Sequence, residues 1–161
     1  MAYVEVLDET HRFDRAPELQ DLLVRYMAGA GLDDREATVV IVDDAAIAER
    51  NARDRGVDGA TDVLSYPTME PDDVDFPQVP HLGDVFVSLD TADRQAHAQG
   101  HDPFLEVAVL CVHGLTHLLG LDHRDDREWE PFRQAERRVR ALVHGPTDRS
   151  GGAATSPPEA V

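Results

Sequence analysis

Strands interspersed with helices predict an α+β fold, a mixed and mostly four-stranded sheet packed by helices. Three observations carry that prediction. Short β-branched runs recur between segments of helical period. One long stretch, Phe104 to Leu119, is apolar on nearly all sides and reads as a central helix buried against the sheet. The 161 residues, with 42% hydrophobic content, suffice for one substantial core, and two are not expected. The expected organisation is a single domain over 1–144 and a disordered C-terminal tail over 145–161.

Each element has a local reason. Residues 2–7 alternate in polarity and read as a strand. From Pro17 to Ala28, Leu19, Leu22, Leu23 and Tyr26 fall at helical spacing, and Gly29 and Gly31 close the helix. The β-branched run Ala37–Val42 reads as a buried strand, after which Asp43 or Asp44 caps a helix reaching about Arg53. Thr61–Tyr66 is a short strand ended by Pro67, and Asp84–Ser88 is another. Between them Pro67 to Leu82, rich in proline and aspartate, reads as a surface loop and a candidate lid. Asp90 opens a helix through about Gln99; Asp102 and Pro103 supply cap and first residue of the central helix; a last helix runs from about Arg127 to Val143.

Composition excludes several function classes. The net charge is −17 and all fifteen basic residues are arginine, which reads as compositional drift or salt adaptation. A broad cationic surface of the kind used by general nucleic-acid binders is excluded, so a polyanionic substrate needs a local cluster, a metal or a partner. Cys111 is the only cysteine, so neither an intramolecular disulfide nor a cysteine zinc site is available, and its apolar neighbours make it a buried thiol. No apolar run reaches membrane-spanning length and the N-terminus lacks the pattern of a signal peptide. A cytoplasmic location without a membrane partner is expected.

The chemistry concentrates in His113-Gly-Leu-Thr-His117-Leu-Leu-Gly-Leu-Asp-His123. On a helix His113 and His117 lie one turn apart on one face. Gly120 can take the left-handed conformation that ends a helix, and the returning chain carries His123 towards the first two. A lone histidine on an apolar helix is usually a core or surface residue. A third one placed just past a reversing glycine points to a metal, and three imidazoles with an open fourth position suit a catalytic zinc. Metzincin proteases use H-E-x-x-H-x-x-G-x-x-H, but Gly114 stands where their glutamate base belongs. Their downstream methionine is also missing, since Met1, Met27 and Met69 all lie upstream.

These residues resemble the YbeY endoribonucleases, whose signature H-G-x-x-H-L-x-G-x-D-H is matched by His113 through His123 at every fixed position. Asn51 through Pro67 is similar to the family's N-x3-R-x2-D-x2-T-D-V-L-S-F-P stretch, and Leu82 through Ser88 to its L-G-D-I-x-I-S strand. Departures are Ala60 for a common proline, Tyr66 for phenylalanine and Asp54 for a frequent tyrosine.

The resemblance implies one zinc ion held by His113, His117 and His123, with Arg55 as the functional arginine. A guanidinium forks onto two phosphate oxygens and keeps its charge, although Arg55 could instead simply pair with Asp54 or Asp58. The implied activity is cleavage of single-stranded RNA, with ribosomal RNA precursors as substrate, in 3′ end processing of small-subunit ribosomal RNA and in ribosome quality control. Zinc would activate a water or polarise the phosphoryl oxygen, and attack by the ribose 2′-hydroxyl stays open. The ribosome or its assembly proteins are the expected partners. Two alternatives stand beside this: a metzincin-like zinc metallopeptidase, and a non-catalytic ribosome assembly factor whose structural zinc takes Asp122 or a loop residue as fourth ligand.

Supporting roles are also expected. Asp122 orients a histidine or caps the following turn, and Thr61, Asp62 and Ser65 brace their strand. His11, His81, His97, His101 and His144 face solvent. Arg133, Arg137 and Arg140 form a face of the last helix that Glu130 and Glu136 can pair with.

Overall fold

The computed structural model describes residues 1–69 and 80–145, so the expected tail beyond Gly145 and most of the candidate lid lie outside the described residues. The elements run β1 (Tyr3–Asp8), α1 (Ala16–Gly29), β2 (Glu36–Val42), α2 (Asp44–Arg55), β3 (Val63–Pro67), β4 (His81–Ser88), α3 (Leu89–Gln99), α4 (Pro103–Leu118) and α5 (Glu130–His144). The sheet is mixed and four-stranded, in the order β1-β2-β4-β3. β1, β2 and β4 are parallel neighbours, while β3 pairs antiparallel to β4, with Val63 opposite Val87 and Pro67 opposite Gly83. The α+β prediction therefore holds, and β3 is an edge strand.

Alternation of side chains across the strands divides the core in two. Val39, Ile41, Val85 and Val87 join the large cluster formed with α1, α3, α4 and α5. Val40, Val42, Leu64 and Phe86 form a smaller cluster with Ile47 of α2. α4 is the predicted central helix: apart from Pro103 and His117 its residues are buried. Fully buried Leu110 and Leu115 each contribute roughly 1.5–3 kcal/mol to the fold. Cys111 is likewise buried, and burial pushes its thiol pKa up.

Several expected boundaries shift for identifiable reasons. Asp43, not Asp44, caps α2, its carboxylate accepting the Ala46 N–H at 2.8 Å. Asp90 does not open α3; Ser88 caps it by accepting from the Thr91 N–H, and the Asp90 carboxylate binds the Asp44 N–H and Arg12 instead. β4 begins at His81 rather than Asp84 because Glu36 of β2 pairs with His81 and Pro67 of β3 with Gly83, which extends both ladders. α5 starts at Glu130 rather than Arg127, after a turn in which the Asp125 side chain accepts from the Glu128 N–H. His101 does not simply face solvent. Its Nε2 shares a hydrogen bond with Oε2 of Glu106, a carboxylate that is only 1% exposed.

Candidate metal centre

The last turns of α4 aim two imidazoles at one point, with His113 Nε2 and His117 Nε2 3.2 Å apart. Two nitrogens bound tetrahedrally to one zinc stand roughly 3.3 Å apart, given Zn–N bonds of about 2.0–2.1 Å. α4 ends at Leu118, Gly120 adopts φ +86°, and the chain reverses as its glycine allows. His123 thereby arrives with its ring centroid 5.2 Å from that of His113 and 5.0 Å from that of His117. The three candidate ligand atoms lie within 4.8 Å of one another. Among the described residues no other cluster of histidine, cysteine or carboxylate side chains could hold a metal, and Asp122 does not join this one.

The donor set suits a cation. His117 Nδ1 faces the Leu121 carbonyl at 3.0 Å, so the protonated nitrogen donates there and Nε2 keeps its lone pair for the centre. That orienting role is one of the two expected of Asp122. Its carboxylate instead accepts the His123 N–H at 2.8 Å and meets Arg124, which leaves it the turn-capping role. His123 Nε2 is buried and finds no hydrogen-bond partner among the described residues, the state of a nitrogen shaped for a ligand. Burial, then the neighbouring histidines, pushes the His113 pKa down to about 3. Burial also lowers that of His117. Both are thus neutral near pH 7, the form in which imidazole binds metal.

Two aromatic residues at the start of α5 back the site, and neither stood out in the sequence. The Trp129 indole stacks on His123 at 4.0 Å between centroids and 18° between planes. Phe132 packs against all three imidazoles, at 4.8, 4.7 and 4.9 Å. The only usable signal is the spacing of Trp129 and Phe132 at i and i+3, a short turn after the third histidine.

Gly114 has a structural reason. A Cβ there would meet Val85 Cγ1 at 2.5 Å and Ser65 Oγ at 3.1 Å, because α4 crosses the sheet in contact with β3 and β4. Ser65 Oγ in turn donates to the Gly114 carbonyl at 3.1 Å. The position therefore excludes a glutamate as well as lacking one.

Beside the histidines opens a cleft of about 760 Å³ that passes over the β3 edge. One wall carries His113, His117 and His123, the other Asn51, Asp54 and Arg55 of α2, with Ser65 and Tyr66 between. Arg55 is exposed, and its Nη2 donates to the Ser65 carbonyl at 2.6 Å. Asp54 is engaged by Arg53 at 2.9 Å and by the Tyr66 hydroxyl at 2.6 Å, which hold its carboxyl pKa down at about 2. The structure thus brings Arg55 to the same cleft as the histidine cluster.

The bracing residues behave as expected. Thr61 donates weakly to Asp62, at 3.4 Å, and Asp62 also accepts from Gln95. On α5, Arg137 and Arg140 pair with Glu130 and Glu136 at 2.8 and 3.2 Å, a salt-bridged face. His81 is half-exposed and meets Asp84 at 3.3 Å, while His11, His97 and His144 are exposed.

Known proteins share this architecture. The family described as Endoribonuclease YbeY matches residues 8–143. The Endoribonuclease YbeY of Thermus thermophilus is 45% identical over 126 residues, covering 78% of this chain and 89% of that protein. That of Deinococcus radiodurans is 51% identical over 107 residues, 66% of this chain and 68% of the relative. The solution structure of TM1509 from Thermotoga maritima superposes with a TM-score of 0.61 over 95% of this chain and 99% of that one. At 22% identity, that likeness speaks to the fold alone.

Proposed function

The chain belongs to the YbeY endoribonuclease family, and from that premise we propose that it is a zinc-dependent, single-strand-specific endoribonuclease of ribosomal RNA maturation. The observation that carries the reading is the convergence of three imidazoles and one exposed guanidinium on a single cleft. His113, His117 and His123 would hold one zinc ion. When bound, such an ion supplies Lewis-acid stabilisation of charge and a water of lowered pKa. Arg55 grips the scissile phosphate and offsets charge that builds on its oxygens. Its anchor on the Ser65 carbonyl pre-orients the guanidinium towards the cleft. Asp54, held ionised by Arg53 and Tyr66, is a poor proton acceptor at neutral pH. The attacking group, water or the ribose 2′-hydroxyl, therefore cannot rely on it as base.

The physiological substrate in this reading is precursor ribosomal RNA, in 3′ end processing of the small-subunit RNA and in ribosome quality control, with the ribosome or its assembly proteins as partners. A cytoplasmic, single-domain enzyme fits this work, and no helix among the described residues is long and apolar enough to cross a membrane. The metallopeptidase alternative is disfavoured by Gly114, where no glutamate fits. It is further disfavoured by Arg55, which takes an edge-strand carbonyl that an extended peptide would pair with. The structural-zinc alternative lacks a fourth protein ligand among the described residues.

The test compares wild type, His117→Ala and Arg55→Ala for bound metal and for cleavage of RNA and of peptides. The expected result is RNA cleavage by metal-loaded wild type, lost with the metal in His117→Ala and reduced roughly 10²–10³-fold in Arg55→Ala with metal retained. Peptide cleavage that survives Arg55→Ala would instead favour the protease. A metal-loaded wild type inert on both substrates would favour the assembly factor.

A further inference from the structure

We propose that Tyr66 is a base-stacking platform, receiving one unpaired nucleobase beside the phosphate held by Arg55; this rests on the endoribonuclease reading above. Tyr66 is the only phenylalanine, tyrosine or tryptophan among the described residues lining the cleft. It belongs to the edge strand that forms the cleft floor, one residue from the Ser65 carbonyl that anchors Arg55.

The ring is held in place without being used up by the core. Its hydroxyl donates to Asp54 at 2.6 Å, and it meets Phe86 edge-on at 5.5 Å and 84°. The neighbours Val40, Val42, Ile47, Leu64 and Phe86 are buried, whereas Tyr66 is only half-buried. A fixed ring stacks a base with little further loss of conformational freedom.

Charge around the ring suits a nucleotide. The Arg55 and Arg50 guanidinium carbons lie loosely over the ring, 5.7 and 6.0 Å from its centroid, and Arg50 is seated more closely over Phe86, at 3.8 Å. In a chain of net charge −17 these two cations supply a local attraction for phosphate. A base stacked on Tyr66 would have its flanking phosphates within reach of both. Stacking on an aromatic side chain tolerates any base but requires one free of its duplex partner and neighbours. Tyr66 would thus be the residue that makes the cleft prefer single strands.

The test uses the full-length, metal-loaded protein with a single-stranded RNA carrying 2-aminopurine, and the same RNA as a duplex. Wild type is expected to change the 2-aminopurine fluorescence on binding and to cleave the single strand preferentially. Tyr66→Leu should raise KM for the single strand about 10-fold with kcat little changed, narrow the preference over duplex and abolish the fluorescence change. Tyr66→Phe, which keeps the ring, should stay within about 3-fold of wild type. Metal content and thermal midpoint report whether each variant is folded. Wild type that cleaves RNA with no fluorescence change, or a folded Tyr66→Leu variant with wild-type KM and preference, would overturn the platform alone. A fluorescence change without any cleavage would instead sink the endoribonuclease reading and leave the platform standing.

Discussion

Trp129→Ala should loosen the metal centre without touching a ligand. His123 lies in the segment between α4 and α5, outside both helices. Its backbone N–H is held by Asp122, but its ring orientation rests on the Trp129 indole at 4.0 Å and 18° and on Phe132 at 4.9 Å. An aromatic pair contributes roughly 0.5–1.5 kcal/mol beyond simple burial, and removing a group that orients a ligand typically costs about 10–100-fold in metal affinity. Because Phe132 remains, the lower part of that range applies. A loss of about 1–2 kcal/mol, or roughly 5–30-fold in zinc affinity, is expected. Trp129→Phe keeps a ring against His123 and should lose less. The assay is competition for zinc against a chelator of known affinity. Trp129 is the only tryptophan, so wild-type fluorescence gives an independent readout that should change as zinc is added. A folded Trp129→Ala variant with wild-type zinc affinity, together with wild-type fluorescence indifferent to zinc, would refute the reasoning.

Three further outcomes are expected. Saturating zinc at about 100 times its Kd should stabilise the chain by about 2.7 kcal/mol, so stripping it with a chelator should lower the thermal midpoint by roughly 5–10 °C, and an unchanged midpoint would argue against a site in the native fold. Gly114→Ala should lower the midpoint by roughly 2–4 °C, because the 2.5 Å approach to Val85 outweighs the gain in helix propensity of about 1 kcal/mol, and a higher midpoint would contradict that packing argument. Burial, only partly offset by His101, raises the pKa of Glu106. Its contribution to stability is then full below the ordinary carboxylate range and lost as pH rises through the raised value. Denaturant melts of Glu106→Gln across pH should show a shallower decline on the alkaline side, and an identical slope would remove Glu106 as its source.

The part of the candidate site legible in the sequence is the part made by local geometry. A spacing of four residues on a helix and a glycine just past its end are enough to converge His113, His117 and His123. The polarity of α4 likewise announces its burial, since a helix apolar all round has nowhere to go but the core. Contacts between elements were not legible. Nothing in the spacing says that α5 would lay Trp129 on His123 or Phe132 on all three rings, because that depends on how two helices pack. His101 looks solvent-facing in the sequence because its partner, Glu106, is buried only once α4 docks on the sheet. Boundary shifts at Ser88, His81 and Glu130 have the same origin, since side-chain caps and ladder pairing outvoted the nearest acidic or β-branched residue.

The sequence by itself determined the α+β class, the buried central helix and the histidine spacing, along with Gly114 as a departure from the proteases. Tertiary structure alone decided why Gly114 is glycine, which face of α5 backs the imidazoles, and that Arg55 reaches across to the Ser65 carbonyl at the cleft. The division follows from range. Periodicity and turn chemistry act over a few residues and are written in the chain, whereas the cleft is assembled from α2, β3 and α4, whose juxtaposition exists only after the sheet order β1-β2-β4-β3 has formed.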